Sequence, residues 1–421
     1  MLKQLEGSQG VAQAVALCRP DVVCAYPISP QTHIVENLGL LCRKGVLADC
    51  EYINVESEFA AMSVAIGASV AGGRAYTATA SQGLLYMAEA VYNAGGLGLP
   101  VVMTVANRAI GAPINIWNDH SDSMSQRDCG WIQLFAENNQ EACDLHIQAF
   151  RIAEEMSIPV MVCMDGFVLT HAFEEMDIPD QASVDAFLPP YRPRQQLDPD
   201  HPYSIGAMVG PEAFTEVRWL AERRMQAAIT VIEKTQALFH EIFGRNSGGL
   251  LSTYRMEDAE AAVLVMGALA GTVKDAVDEK REDGARIGDD VLKSFRPFPF
   301  KALREALKSL RSVVVMERMV SAGGAGAVSL EVMKALRGLP VRQSTLIAGL
   351  GGRAVTRQAL KPYFARALAG TLEEEEIFLD LDEELVRRQM EREKASRHIG
   401  PVAEALNRHV NERKLARGEE I

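Results

Sequence analysis

RAYTATASQGLLYMAEAVYNAGGLGLPVVMTVANR, residues 74–108, is the stretch on which the fold turns. RAYTATA at 74–80 reads as a strand, residues 83–96 as a helix, and LPVVMTVA at 99–106 as a second, strongly apolar strand. A strand, a helix and another strand in that order form the unit that joins parallel strands.

The same rhythm runs outward in both directions. Upstream, 8–19 suits a helix, Asp21 to Tyr26 a short buried strand, and PISPQT a turn. A helix over 31–44 and a strand EYINV at 51–55 follow, and then a helix over 58–72. Downstream of a polar loop, Asn107 to Asp128, come a helix at 139–156 and a strand IPVMVCMD at 158–165. Strands alternating with helices imply an α/β fold with a doubly wound parallel sheet. Ligands of such sheets bind beyond the carboxyl ends of the strands. The segments to watch are therefore PISPQT, ESE, ASQG and NRAIGAP. The helix EFAAMSVAIGASVAG (58–72) is apolar on almost every side, which places it at the centre of the domain or in a subunit interface.

Residues 178–256 interrupt the pattern with a Pro-rich stretch, a long amphipathic helix at 211–242 and a linker, RNSGGLLS, at 245–252. A second α/β unit starts near Asp258. Its strands are AAVLVMGA (261–268), SVVVMERM (312–319) and QSTLIAGLGG (343–352). From Thr371 the chain is highly charged, with 14 acids and 9 bases, and reads as surface helix or as an arm onto a partner. The expected organisation is a first domain at 1–245 with an insertion at 178–245, a second at 257–370, and a helical extension at 371–421.

Length and composition agree. A chain of 421 residues holds two or three domains, and 48% hydrophobic with 24% charged residues is an ordinary globular balance. Acids outnumber bases 56 to 43, a net charge of −13, which argues against a generic nucleic-acid binder. An apolar run of about 18 residues is missing, so no membrane span is expected. MLKQLEGSQG lacks the apolar core of a signal peptide, and a cytoplasmic location is the expectation. The seven cysteines form no CxxC pair, which speaks against a disulfide framework, a closed zinc site or an iron–sulfur cluster held by this chain alone.

Few motifs carry chemistry on their own. There is no Walker A pattern, and GLGG at 349–352 is not a dinucleotide fingerprint. SAGGAGA at 321–327 is either a tight turn or an anion seat at a helix start. Glu58 is either a helix-start acid behind an N-cap Ser57 or a carboxylate at the mouth of a site. Arg108 ends the strongest strand and can grip a carboxylate bidentately, or serve a structural ion pair. Asn118, Asp119, His120 and Asp122 do not follow a known metal-ligand spacing and read better as a hydrogen-bonded loop. Ser81 lacks the surrounding glycines of a nucleophile elbow.

At its strand ends the sequence resembles the 2-oxoacid:ferredoxin oxidoreductases, in particular the α subunit of the multi-subunit pyruvate-type enzymes. The resemblance rests on YPISPQTHIVENL (26–38), VESEFAAMSVAIGAS (55–69), TATASQGLLYMAEA (77–90), the long stretch from Asn107 to Asp144, and VMVCMDGF (160–167). FRPFP (295–299) and GLGGR (349–353) extend it into the second half.

The resemblance implies the pyrimidine-type domain of a thiamine pyrophosphate enzyme, followed by a transketolase C-terminal-like domain. The GDG…N magnesium motif of the diphosphate-binding domain is missing, so the cofactor would be shared with a β subunit. Mg2+ and 4Fe–4S clusters would belong to partners: that β subunit, a γ subunit, a ferredoxin-like iron–sulfur subunit and, in some forms, a flavin subunit. Coenzyme A would be the co-substrate and the assembly a dimer of heteromers. Glu58 falls on the glutamate that pairs with the aminopyrimidine ring, and Arg108 on the arginine that binds the substrate carboxylate. Ser29 stands where threonine is usual beside the substrate, and Pro27, Ser81 and Gln82 fall at cofactor-binding positions. Ala354 replaces the aspartate common after GLGGR.

The implied reaction is oxidative decarboxylation of a 2-oxoacid, pyruvate first, to acyl-CoA and carbon dioxide with electrons to ferredoxin. A bulkier acid such as phenylglyoxylate or 2-oxoisovalerate, with NAD as final acceptor, is the alternative. A non-catalytic scaffold subunit is the rival of another class, and the presence of both Glu58 and Arg108 speaks against it.

Overall fold

The structure, a computed structural model, describes residues 2–324, 326–372 and 376–395, the side chains of 393–395 excepted. A seven-stranded sheet dominates the unit Met1–Ile377. Its order is Ser294–Arg296, Ile132–Phe135, Val160–Asp165, Val102–Asn107, Ala75–Thr79, Val22–Ala25 and Glu51–Asn54. All neighbours are parallel except the first pair, where Ser294–Arg296 runs antiparallel to Ile132–Phe135. The strand VMTVAN is buried along its whole length, as expected of a central parallel strand covered on both faces. The doubly wound sheet read from residues 74–108 is the one observed.

The chain passes from Val22–Ala25 outward to Glu51–Asn54, then returns to place Ala75–Thr79 on the other side. That reversal is the topological switch point, where adjacent connections leave on opposite faces and open a crevice. PISPQT and ASQG lie at this point, each just after its strand. Gln31 closes the turn from beneath: its Nε2 donates to the Tyr26 carbonyl at 3.0 Å and the Ala78 carbonyl at 3.2 Å.

The second sheet is six-stranded. From Arg342–Ile347 inward its order is Ser312–Glu317, Ala261–Val265, Ile287–Leu292 and Leu251–Tyr254, the last antiparallel. A continuous apolar core connects the two sheets, running from Met103 and Trp131 through Phe295 and Phe298 to Leu264 and Val315. At roughly 1.5–3 kcal/mol for each fully buried large apolar side chain, this contact contributes substantially to holding the sheets together.

Polar bridges fix the register of that contact. Asp165 ends Val160–Asp165 with its side chain fully buried. Its Oδ1 accepts from Arg318 Nη1 at 2.5 Å and from Asn118 Nδ2 at 3.2 Å, and His120 Nε2 lies 3.3 Å away. Its Oδ2 accepts from the Ala268 backbone N–H at 2.6 Å. Burial alone would raise this carboxyl, but the Arg318 and His120 charges outweigh it and hold it well below the usual carboxylate range.

Four features depart from the sequence reading. Residues 245–252 are no loose linker: Arg245 clasps Asp144 at 2.6 and 2.7 Å, and Gln148 donates to the Ser247 carbonyl at 3.0 Å. Leu2–Glu6 is a strand paired antiparallel with Phe173–Asp177, an unexpected two-stranded ribbon. Short strands at Ile132–Phe135 and Ile287–Leu292 were also not foreseen, the second because GDD breaks its apolar run. The helix Glu58–Val70 is buried on one side only, with Phe59, Ser63 and Gly67 exposed, so a subunit interface is its remaining reading.

The long helix of the insertion spans Phe214–Phe243. The unit Phe378–Ile421 contains the helix Glu383–Ala395, whose Arg387 reaches Glu384 and Glu391 at 2.8 and 2.9 Å. The rest of the expected charged extension, 396–421, lies outside the described residues.

Candidate active site

Glu58 is the first residue of Glu58–Val70, behind Ser57, whose Oγ accepts the Ala60 N–H at 3.2 Å. The N-cap reading is thus correct, and it has a consequence. The cap fixes the first turn, and the Glu58 carboxylate is carried inward and buried. It lies against the turn after Ala75–Thr79. A Cβ on Gly83 would sit 2.6 Å from Glu58 Oε1 and 2.6 Å from Thr79 Oγ1. Glycine is therefore required there for the carboxylate to approach the turn. Thr79 Oγ1 is buried with no hydrogen-bond partner, a polar atom aimed into the same cradle.

Arg108 enters from the end of Val102–Asn107. Its backbone N–H donates to Asp122 Oδ2 at 2.9 Å. Nη1 donates to the Ser29 carbonyl at 2.7 Å and Nη2 to Gln82 Oε1 at 3.0 Å. Nε is buried without a partner. Partial burial lowers this guanidinium's proton affinity, and the charges of Asp122 and Glu58 oppose that. The side chain is held by neutral groups on both sides of the switch point, not by a dedicated carboxylate.

Ser81 and Gln82 build the floor. Ser81 is fully buried in the left-handed region, φ 48°, a conformation uncommon for a residue with a Cβ. Its N–H donates to Asp122 Oδ2 at 2.9 Å, and its hydroxyl lies 2.5 Å from Gln82 Oε1 and 2.6 Å from the Ala109 carbonyl. Gln82 thereby bridges Ser81 and Arg108. Pro27 and Ser29 are exposed in the turn after Val22–Ala25.

Asp122 organises this arrangement. Fully buried, it accepts from the backbone of Ser81, Arg108 and Ser123 and from Asn107 Nδ2 at 2.8 Å. Burial raises its carboxyl, and these N–H donors counter the effect. The segment after Asn107 is accordingly hydrogen-bonded, as its sequence suggested, but it is not loop throughout: Ser121–Ser125, with Asp122, is a short helix. The loop also receives the GLGG turn: Gly351 N–H donates to Asp119 Oδ2 at 3.1 Å, and Asn115 Nδ2 to the Gly351 carbonyl at 3.1 Å. A Cβ on Gly352 would lie 2.4 Å from Trp117 Cβ, which explains the last glycine of the turn.

The six residues singled out in the sequence are therefore distributed around one crevice. Glu58, Gly83 and Thr79 form one wall, and Arg108, Gln82 and Ser29 form a hydrogen-bonded set. Sequence reasoning missed the organising role of Asp122 and the Asp165–Arg318 pair. Asp122 was visible only as one of several polar loop residues, and Arg318 is 153 positions from its partner.

The chain is an α/β protein with a buried carboxylate and an arginine at the switch point of a parallel sheet, and its family match places it in the thiamine diphosphate-binding class. Residues 13–237 match the family described as pyruvate flavodoxin/ferredoxin oxidoreductase, thiamine diphosphate-binding, and 259–360 match pyruvate:ferredoxin oxidoreductase core domain II. The chain is 46% identical over 391 residues to pyruvate synthase subunit PorA of Methanosarcina barkeri, covering 91% of this chain and 97% of that one. It is 43% identical to the PorA subunit of Methanothermobacter thermautotrophicus, covering 85% of this chain and 92% of that one. It is 40% identical to ketoisovalerate oxidoreductase subunit VorA of Pyrococcus horikoshii, covering 85% and 92%. The fold is shared with a 2-oxoglutarate:ferredoxin oxidoreductase from Magnetococcus marinus, at a TM-score of 0.66 and 16% identity, over 87% of this chain and 65% of that one. The chain belongs to the 2-oxoacid:ferredoxin oxidoreductase family, and the PorA and VorA relatives are named as subunits of their enzymes.

Proposed function

We propose that this chain is the α subunit of a pyruvate:ferredoxin-type oxidoreductase and supplies the pyrimidine half of a thiamine diphosphate site completed by a β subunit. The observation that carries this reading is the Glu58–Gly83 approach beside the Arg108–Gln82–Ser29 set, all at the switch point. The residues present fit the cofactor: a buried carboxylate, a cradle that any Cβ would fill, and the unpartnered hydroxyl of Thr79.

Glu58 would face the aminopyrimidine of the bound cofactor and exchange a proton with it. Arg108 receives the 2-oxoacid carboxylate, its planar fork oriented by the Ser29 carbonyl and Gln82. Ser29, exposed in its turn, would border the substrate chain, and Pro27, Ser81 and Gln82 would border the bound cofactor. When bound, thiamine diphosphate supplies the electron sink for decarboxylation. Pyruvate is the proposed substrate and ferredoxin the acceptor, with coenzyme A taking the acyl group. Magnesium and the iron–sulfur clusters are assigned to partner subunits. The PorA relatives support pyruvate, while the VorA relative keeps 2-oxoisovalerate as the alternative. Among the described residues, no helix is long and apolar enough to cross a membrane.

Titration calorimetry tests the shared site. The full chain alone, given thiamine diphosphate and Mg2+, should show no tight binding. The same chain co-purified with its β subunit should bind. Micromolar binding by the isolated chain would overturn the reading.

A further inference from the structure

Three residues outside the crevice converge from distant parts of the chain. Glu6 ends Leu2–Glu6, His33 stands in the first turn of Thr32–Arg43, and His171 follows the turn after Val160–Asp165. Each offers one ligand atom, and the three atoms lie within 4.8 Å of one another. His33 Nδ1 is 2.6 Å from Glu6 Oε1, and the two imidazole rings stand 4.8 Å apart between centroids. We propose that Glu6, His33 and His171 form a site for a divalent transition metal of the zinc class. This assignment does not depend on the proposed function.

The donor set is the first argument. Two imidazoles and one carboxylate suit Zn2+ in a tetrahedral site that keeps its fourth position for water. Ligand atoms around such an ion stand about 3.3 Å apart, given bonds of about 2.0–2.1 Å. Glu6 and His33 share a 2.6 Å hydrogen bond, which the ion would replace, and the third ligand atom lies within 4.8 Å of both. The half-exposed His33 leaves an entry path and room for water.

The second argument is prearrangement. Gly7 N–H donates to the Ala172 carbonyl at 3.0 Å, Ser8 N–H to the Thr170 carbonyl at 2.9 Å, and Ser8 Oγ to the same carbonyl at 2.8 Å. A Cβ on Gly7 would lie 2.1 Å from the Leu169 carbonyl, so glycine is what lets these segments touch. Glu6 and His171 are thus fixed relative to each other by backbone bonds. His171 Nδ1 lies 2.7 Å from Thr170 Oγ1, which in turn accepts the Phe167 N–H at 2.8 Å. With Nδ1–H directed at Thr170, Nε2 presents its lone pair. This is the outer hydrogen bond that metal-binding imidazoles usually make.

The consequence would be a clamp. Gly166 packs on the PISPQT turn so closely that a Cβ there would lie 2.4 Å from Pro30 Cγ. A metal held by His33 and His171 would lock that turn to the following loop and to the N-terminal strand.

The test uses the full chain, stripped with chelator and titrated with Co2+. One equivalent should give the visible absorption of tetrahedral cobalt with nitrogen and oxygen ligands. Zn2+ should bind at one per chain and raise Tm. His33→Phe and His171→Phe, which keep aromatic rings at both places, should lose the band and the Tm rise while keeping the far-UV spectrum of the wild type. Glu6→Gln should weaken binding at least tenfold. A band that survives in both phenylalanine variants would overturn the proposal. So would a sulfur-to-cobalt charge-transfer band, which would place the ion at the neighbouring thiols Cys42 and Cys50. Absence of any one-equivalent binding would also overturn it.

Discussion

Arg108 Nη1 donates a 2.7 Å hydrogen bond to the carbonyl oxygen of Ser29, joining the end of one central strand to the turn after another across the switch point. Nη2 does the same with Gln82 at 3.0 Å. The fork is thereby aimed before any substrate arrives, which reduces the ordering cost of binding a carboxylate. Lysine has no fork and cannot satisfy both acceptors. Arg108→Lys in the assembled enzyme should raise KM for the 2-oxoacid by about tenfold or more and leave KM for coenzyme A nearly unchanged. Steady-state kinetics with each substrate varied in turn measures this, and an equal rise in both would reduce Arg108 to a structural role.

Glu58 is buried and faced by Gly83, so its substitution by glutamine preserves shape and removes the acid. Glu58→Gln should leave the complex assembled and lower kcat by about 10² or more, the range for general acid–base groups. Proton exchange at the thiazolium C2 of the bound cofactor, followed by NMR, should slow in parallel. Unchanged exchange in an intact complex would make Glu58 only the first residue of its helix.

The Asp165–Arg318 pair sets the contact between the two sheets. Removing one member of a buried pair typically costs about 3–5 kcal/mol, because the other charge remains buried. Arg318→Met should therefore destabilise the chain by about that much, and Arg318→Met with Asp165→Asn by clearly less. The sign with pH follows from the carboxyl being held below its ordinary value. Its stabilising contribution is present above the unfolded-state pKa of about 3.9 and is lost only as pH falls toward the lower folded value. Chemical denaturation should find the wild-type advantage over the double variant falling away as pH drops below about 4.

Much of this was legible in the sequence, for identifiable reasons. The sheet around residues 74–108 could be read because central parallel strands are buried on both faces and show as unbroken apolar runs such as VVMTVA. Glu58 and Arg108 could be picked out because the fold class sends ligands to strand ends. The ribbon of Leu2–Glu6 with Phe173–Asp177 could not, since LKQLE and FEEMD carry charge on a half-exposed pair and their register depends on backbone bonds from Gly7 and Ser8. Nor could Asp122, whose role lies in four N–H groups from three separate segments. Contacts of this kind appear only once the chain is folded.

Asp290 lies in Ile287–Leu292 with both carboxylate oxygens buried and unpartnered, and burial pushes its pKa up to about 7. The folded state therefore binds a proton that the unfolded state releases near pH 4, so stability falls as pH rises from about 4 to 7. Asp290→Asn removes that titration. Its Tm relative to wild type should rise between pH 5 and pH 8, equivalent to a gain of a few kcal/mol at most. A difference independent of pH would mean that Asp290 is already ionised when folded.

Ser29 sits beside Arg108 in the turn after Val22–Ala25. Its carbonyl is engaged by the guanidinium, while its side chain is exposed toward the crevice wall. Compared with the threonine usual in the family, serine keeps the hydroxyl and lacks one methyl. A methyl in an apolar pocket discriminates by about 1–3 kcal/mol, or roughly 10–200-fold. The neighbouring Pro27 and Ile28 do not obviously refill the space. The assembled enzyme should therefore accept acids larger than pyruvate, and the comparison of interest is kcat/KM for pyruvate, 2-oxoisovalerate and phenylglyoxylate. Ser29→Thr should lower kcat/KM for the two larger acids by about tenfold and leave pyruvate within about twofold, a split that a general loss of folding cannot mimic. If the wild type rejects both larger acids, the missing methyl does not gate the site, and pyruvate selectivity has to come from residues other than Ser29.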